Sequence, residues 1–468
     1  SHNGKDFEFA SQPSSIQLHN QNLSISKASI LEYLKWGTLP DPLTIFNEMA
    51  KLRAGHSFIF DLATGDFKDS KYWDIKTTNQ PMFVGSYHDA TEELEVLLKD
   101  CISSRMFADV PVGVFLSGGV DSSLVSALAS ATSSQKVKTF SVKFNEKGFD
   151  ESAYAKQVAD HLGTDHQIIE CNYREGLDLI ENFHHYYDEP FADSSAIPSM
   201  LLAKYTRQKV TVALSGDGGD EGFLGYTRYS WMKRVKPLFA LPHPIRSLSA
   251  TMLNVMPNYR LKTIAKGLKH KTIEDLYVAI MTDMDLSWID HTWEAGQTLE
   301  KEYLVHKQKN LFERISDYDI KAYLNWEINT KVDRATMAYS LEARAPLLDH
   351  RVIEFANSLP TDFKFKNEQQ KRILKDILYK YVPKEIFDRP KAGFTMPFQE
   401  WFKNDLRDMV QDELNEESLN EIPGVNAGRF LKLINEHLDG KWNRYPQIWK
   451  LLVLKQWLKN NGKGLDIK

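Results

Sequence analysis

The stretch Val112-Gly-Val-Phe-Leu-Ser-Gly-Gly-Val-Asp-Ser-Ser123 leaves a chain few ways to fold. Val112 to Leu116 is short, β-branched and free of polar residues, the pattern of a central parallel strand buried on both faces. Ser117-Gly118-Gly119 lets the backbone turn tightly and approach a ligand with no Cβ in the way. Leu124, Val125, Ala127 and Leu128 then repeat at helical spacing. That order places a phosphate-sized gap at a helix N-terminus, where unsatisfied N–H groups and the helix dipole favour an anion. Asp121 repels such an anion unless a cation lies between them, which makes it a candidate magnesium ligand. Taken alone, the stretch fits a plain strand-turn-helix connection with a capping Asp equally well.

The second strand, Thr139 to Phe144, is followed by a helix from Ser152 to His161, a third strand from Gln167 to Glu170 and a helix from Tyr173 to Tyr187. Strands alternating with helices predict an α/β fold with a parallel sheet, whose ligands bind beyond the carboxyl ends of the strands. A fourth strand, Lys209 to Leu214, ends in Ser215-Gly-Asp-Gly-Gly-Asp-Glu221, a second glycine turn carrying three acids. Two such loops on one sheet can clamp a magnesium-bound polyphosphate between Asp121 and Asp220. An exposed acidic loop is the plainer alternative, and the glycine spacing directly after a buried strand argues against it.

Elsewhere the chemistry thins out. Phe7 to Ser11 alternates weakly, and Phe58 to Leu62 with Lys71 to Trp73 reads as strands around a turn at Gly65, a small β-containing segment. Ser29 to Leu34 predicts a short helix ending before Gly37. A polar linker over 76–88 separates this segment, 1–75, from the rest, 89–468, with Asp89 as candidate N-cap of a helix reaching Arg105. Tyr229 to Glu327 reads as helical scaffold. Asp333, Arg334, Glu342, Arg344 and Asp349 form a charged network in apolar surroundings, either structural or lining the site. Arg389-Pro-Lys391 is a loop able to neutralise charge at a phosphate, or a solvated basic turn.

The chain has 468 residues, 42% of them hydrophobic, enough for a large core and two or three domains. With a net charge of −5 and dispersed Lys and Arg, no nucleic acid or membrane partner is expected. Cys101 and Cys171 form no C-x-x-C pair, and no stretch is apolar enough to span a bilayer, so a cytoplasmic location is expected. The start, Ser1 to Gly4, carries no signal pattern.

In combination, Ser117-Gly-Gly-Val-Asp-Ser122, Ser215-Gly-Asp-Gly-Gly-Asp-Glu221, Asp333-Arg-Ala-Thr-Met-Ala338, Ser340 to Asp349 and Arg389-Pro-Lys-Ala-Gly-Phe394 resemble the synthetase part of the glutamine-hydrolysing asparagine synthetases, of the ATP-pyrophosphatase (PP-loop) group. The resemblance implies an adenine nucleotide alpha hydrolase-like synthetase domain over 89–468, preceded by a remnant of an N-terminal nucleophile glutaminase domain. It implies ATP and Mg2+ as cofactors, with AMP-forming amidation of aspartate to asparagine through an aspartyl-adenylate. On this resemblance the loop 117–122, with Ser117, Gly118, Gly119, Asp121 and Ser122, would hold the departing pyrophosphate, Leu116 would also belong to the ATP site, and Val142, Ser215 and Gly216 would border the adenosine. Asp121 and Asp220 would hold magnesium, Lys391 would stabilise the α-phosphate, Asp217 would lie near the acyl-adenylate, and Arg344 is a further catalytic candidate. Aspartate with ammonia or glutamine are the expected substrates, and a homodimer the candidate assembly.

Three departures from the family pattern bear on these expectations. The family's N-terminal glutaminase Cys is absent here, so free ammonia or a separate glutaminase is expected to serve this chain, with Phe9 to Ser11 as the last strand of a truncated domain. Asp217 and Gly219 replace the family's usual Glu and Ala. No basic residue occupies Glu189 to Pro198, where some members carry an Arg for the amino-acid substrate. The alternatives are amidation of another carboxylate such as a uronic acid sugar, a non-catalytic nucleotide-binding regulatory module, and an RNA-modifying enzyme of the same group, for which the basic face and extra cysteines are lacking.

Overall fold

A computed structural model of the chain describes residues 7–20, 22–75, 82–143, 152–171, 173–255, 259–282, 284, 288–289, 309–387 and 396–468. Its centre is a five-stranded sheet of β3 (Val112–Phe115), β4 (Lys138–Lys143), β5 (Asp165–Glu170), β6 (Val212–Leu214) and β7 (Glu342–Arg344), in the order β5-β4-β3-β6-β7. Every neighbouring pair is parallel, as the alternation of strands and helices predicts. A hairpin of β1 (His56–Phe60) and β2 (Phe67–Lys71) stands apart, with Phe7 stacked on Phe60 at 4.3 Å between ring centroids.

The central strands are apolar because both sheet faces are covered. On one side Val114 and Leu116 pack with the helices Tyr87–Met106, Val120–Thr132, Ser152–Leu162 and Arg372–Leu378. On the other, Phe140 and Ala213 meet Ala203 and Leu341. The largest core lies beyond, where Trp401, Trp449 and Trp457 of the C-terminal helices are fully buried. Ile30, Tyr33 and Leu34 of the helix Lys27–Trp36, expected to go with the N-terminal segment, are buried in that same core. That helix ends on Gly37 at φ +80°, a left-handed C-cap that only glycine adopts cheaply.

Several expected boundaries shift for local reasons. Ser86, not Asp89, caps the helix Tyr87–Met106, because Asp89 is the reciprocal partner three residues on, accepting from the Ser86 N–H at 2.8 Å. β6 begins at Val212 because the amides of Lys209 and Val210 are taken by the Thr206 carbonyl at the end of the preceding helix. The helix from Tyr173 stops at Glu181, and Phe183–His185 form a separate 3₁₀ turn. Phe144 lies outside the described residues.

Candidate active site

The chain leaves β3 toward β4 and β5, then returns to pair β6 on the other side of β3. Such a switch point opens a crevice beyond the carboxyl ends of two adjacent strands, where open parallel sheets bind ligands. Both glycine loops lie there.

The first loop is tied by its own hydroxyls. The Ser117 N–H donates to Ser122 Oγ at 3.1 Å, the two serine Oγ atoms are 2.9 Å apart, and the Gly119 N–H donates to Ser117 Oγ at 3.3 Å. Gly118 has φ +74°, and a Cβ there would lie 2.7 Å from the Ala155 backbone nitrogen, so the turn needs glycine for both shape and space. Gly119 is the N-cap of the helix Val120–Thr132 and offers no side-chain acceptor, so no capping side chain closes the first turn, which carries Asp121.

The second loop starts from the sheet, where the Ser215 N–H donates to the Arg344 carbonyl at 2.8 Å. A Cβ on Gly216 would come within 2.8 Å of the Ser122 nitrogen, and one on Gly219 within 2.4 Å of Asp121 Oδ1. The bare glycines therefore let the loops touch, which brings Asp121 and Asp220 to a common cation, the ammonium of Lys371. Lys371 Nζ lies 2.7 Å from Asp220 Oδ1 and donates a shorter hydrogen bond to Asp121 Oδ2. Burial pulls the lysine's pKa down, but Asp121 and Asp220 together raise it above the usual range, so it stays charged.

Next to this triad, Glu221 is 2% exposed, and burial pushes its pKa up to about 7 despite a hydrogen bond from the Tyr226 hydroxyl. A second, partly buried ion pair joins Lys331 and Asp193. Lys331 Nζ is 2.9 Å from Asp193 Oδ2 and 2.9 Å from Ser195 Oγ, and it feels the charge of Asp217. Burial acts to raise the Asp193 pKa, but Lys331 holds it below the usual carboxylate range.

The two loops meet at Asp121, Ser122, Gly216, Gly219 and Asp220, with Ser117, Gly118 and Gly119 leading into the first, and Ser215 and Asp217 flanking Gly216 in the second. Leu116 is buried just before the first loop, its N–H donating to the Phe140 carbonyl at 2.8 Å, and Val142 lies near the end of β4 with its side chain in the core. Arg344 is not brought to the loops. Its guanidinium donates to Glu342 at 2.7 Å and to the carbonyls of Arg105 and Phe107 at 2.8 and 2.9 Å, closing the end of the helix Tyr87–Met106. Asp349 is likewise structural, capping the helix His350–Ser358 and pairing with Arg105 at 2.9 Å. Arg389 and Lys391 lie outside the described residues.

Lys371 is the residue that sequence spacing does not single out. It stands in Gln369-Gln-Lys-Arg-Ile-Leu, which reads as the start of a helix, and the only signal for it was that two facing aspartates demand a cation. Two carboxylates from separate loops, with phosphate oxygens of a nucleotide completing the shell, also match the donor set magnesium takes. Among the described residues no cluster of three or more His, Cys, Asp or Glu forms an all-protein metal site.

A parallel sheet with two glycine loops and paired carboxylates at its switch point is the α/β architecture that holds its ligand beyond the strand ends. The family model described as asparagine synthase matches residues 93–459. The chain belongs to the asparagine synthase family and is a ligase of that kind, a family of ATP-dependent amidation. It is 28% identical to glutamine-hydrolyzing asparagine synthetase 1 of Bacillus subtilis, over 96% of this chain and 71% of that protein. It is 34% identical to putative glutamine-hydrolyzing asparagine synthetase 2 of Methanocaldococcus jannaschii, over 71% of this chain and 66% of the relative. A protein named Amidase chry2 from Gibberella zeae is 22% identical over 86% of this chain and 66% of its own length.

Proposed function

We propose that the crevice catalyses AMP-forming amidation of aspartate to asparagine through an aspartyl-adenylate. The observation that carries this reading is the meeting of Asp121 and Asp220 on Lys371 beside a helix N-terminus that has no capping side chain. In the first step a carboxylate oxygen bonds to the α-phosphorus of ATP as the α–β phosphoanhydride bond breaks and pyrophosphate leaves. The first-turn N–H groups after Gly119 receive that pyrophosphate, and Lys371 adds positive charge beside it. Magnesium held between Asp121 and Asp220 would neutralise the leaving group's charge. In the second step ammonia bonds to the acyl carbon, the bond to AMP breaks, and Asp217 takes the proton that the nitrogen sheds. Adenylation is needed because a free carboxylate is anionic and has no leaving group, whereas its AMP ester has neither handicap.

In this reading Ser215, Gly216 and Val142 border the adenosine, Lys391 acts on the α-phosphate, and the nitrogen comes from ammonia or from glutamine hydrolysed by a glutaminase unit. The hairpin β1–β2, with Ile59 and Phe67 more than half exposed, is read as the end of such a unit.

A uronic acid sugar as acceptor is the second reading, favoured by one observation. Lys331, a cation that feels the charge of Asp217, is already satisfied by Asp193 and Ser195 and is poorly disposed to hold an amino acid's α-carboxylate. Exchange between ATP and labelled pyrophosphate, run with a panel of carboxylates, tests both. Exchange with aspartate supports the first, and exchange with a uronic acid but not aspartate replaces it with the second.

A further inference from the structure

Against the dispersed charge expected of the whole chain, Gly222 to Ile273 contains ten Lys and Arg residues and no Asp or Glu, in a protein whose net charge is −5. This run contains the helices His243–Val255 and Tyr259–Leu268, which pack together as a hairpin. Ala250, Leu253, Ala265 and Leu268 form the small core between them.

The opposite face of the first helix is apolar too. Ile245, Leu248 and Met252 are 52%, 61% and 63% exposed, and Leu241, just before the helix, is 48% exposed. Their spacing places all four on one stripe, turned away from the core that Ala250 and Leu253 fill. Ile264 of the second helix is also exposed, as are Lys236, Lys266, Lys269 and Lys271. The stripe is held in place from behind. The Arg246 guanidinium, 3% exposed, donates to the carbonyls of Leu241, Leu268, His270 and Lys271 and so ties the start of one helix to the end of the other.

We propose that this hairpin is a docking surface for an anionic lipid bilayer. Arg228, Lys233 and Arg234 are paired with Asp319 and Glu368 and Arg246 is buried, so the exposed Lys236, Lys266, Lys269 and Lys271 carry the charge. With the aliphatic stripe they make the two components of interfacial membrane binding: apolar side chains for the acyl boundary and cations for anionic headgroups. A second copy of the chain is disfavoured because it would set the exposed lysines of two hairpins against each other. The contact is peripheral, since no helix among the described residues is long and apolar enough to cross a membrane.

Co-sedimentation of the full chain with phosphatidylcholine vesicles, with and without phosphatidylglycerol, tests this. Binding to the anionic vesicles, about a hundredfold or more above the neutral ones and weakened by salt, is the expected result. The variant I245S/L248S/M252S abolishes it, and K266E/K269E/K271E lowers it about a hundredfold, with AMP formation and melting temperature unchanged in both. Equal partition into neutral and anionic vesicles, or binding indifferent to both variants, overturns the proposal. Capture by polyaspartate without vesicle binding also overturns it and assigns the surface to an acidic protein.

Discussion

The Lys371 ammonium stands 2.7 Å from the Asp220 carboxylate, and through the same nitrogen it reaches Asp121 on the other glycine loop. One buried cation thus holds together the two loops that the sheet's switch point sets side by side. Removing it would leave two carboxylates facing each other with little solvent to screen them.

Lys371→Met should therefore lower stability by about 3 kcal/mol or more, as breaking a buried ion pair does. Added magnesium should recover much of that loss, because it supplies the missing charge between Asp121 and Asp220. Thermal melting against magnesium concentration measures this, and a variant whose melting temperature does not move with the ion would remove the metal from this position.

Asp121→Asn and Asp220→Asn should each cut AMP formation at saturating ammonia by at least about a hundredfold while the fold survives. Circular dichroism with an AMP-release assay reads both halves. Undiminished turnover in either variant would exclude that residue as a metal ligand.

Gly216 shows how little room separates the loops. A Cβ there would lie 2.8 Å from the Ser122 nitrogen and 3.0 Å from the Asp121 carbonyl carbon, both backbone atoms that cannot swing aside. Gly216→Ala should part the loops and depress AMP formation more than it depresses the melting temperature. Retention of full activity would mean the loops need not touch.

Arg344→Gln should act on stability instead of chemistry. It removes hydrogen bonds to the Arg105 and Phe107 carbonyls, at a cost of about 1–3 kcal/mol. Denaturant midpoints should fall while ATP–pyrophosphate exchange per folded molecule stays within about twofold. Loss of exchange in a fully folded variant would return Arg344 to the reacting atoms.

Lys364 is 2% exposed with its ammonium on the Ala356 carbonyl at 2.8 Å, and burial lowers its pKa from 10.5 to about 8. Below pH 8 it is charged in both folded and unfolded chains, and the burial penalty, at most about 3 kcal/mol, is present in full. Between about 8 and 10.5 the unfolded chain binds more protons, so this residue's contribution to stability rises with pH. Lys364→Met should raise the melting temperature at neutral pH and flatten that rise. An unaltered pH profile would show that Lys364 does not titrate in this window.

The parallel sheet, both glycine loops and the pair Asp121 and Asp220 are legible in the order of the amino acids, because strand and helix periodicity and glycine turns are local properties of the chain. The sequence also marked Arg344 by its charge in an apolar setting, without saying which way the side chain turns. The tertiary structure decided that: Arg344 closes a helix end, and the helix Lys27–Trp36 joins the C-terminal core. It alone produced Lys371, since the partner of two carboxylates on separate loops is chosen by how the helix Arg372–Leu378 packs on Val120–Thr132, and no local spacing records that contact.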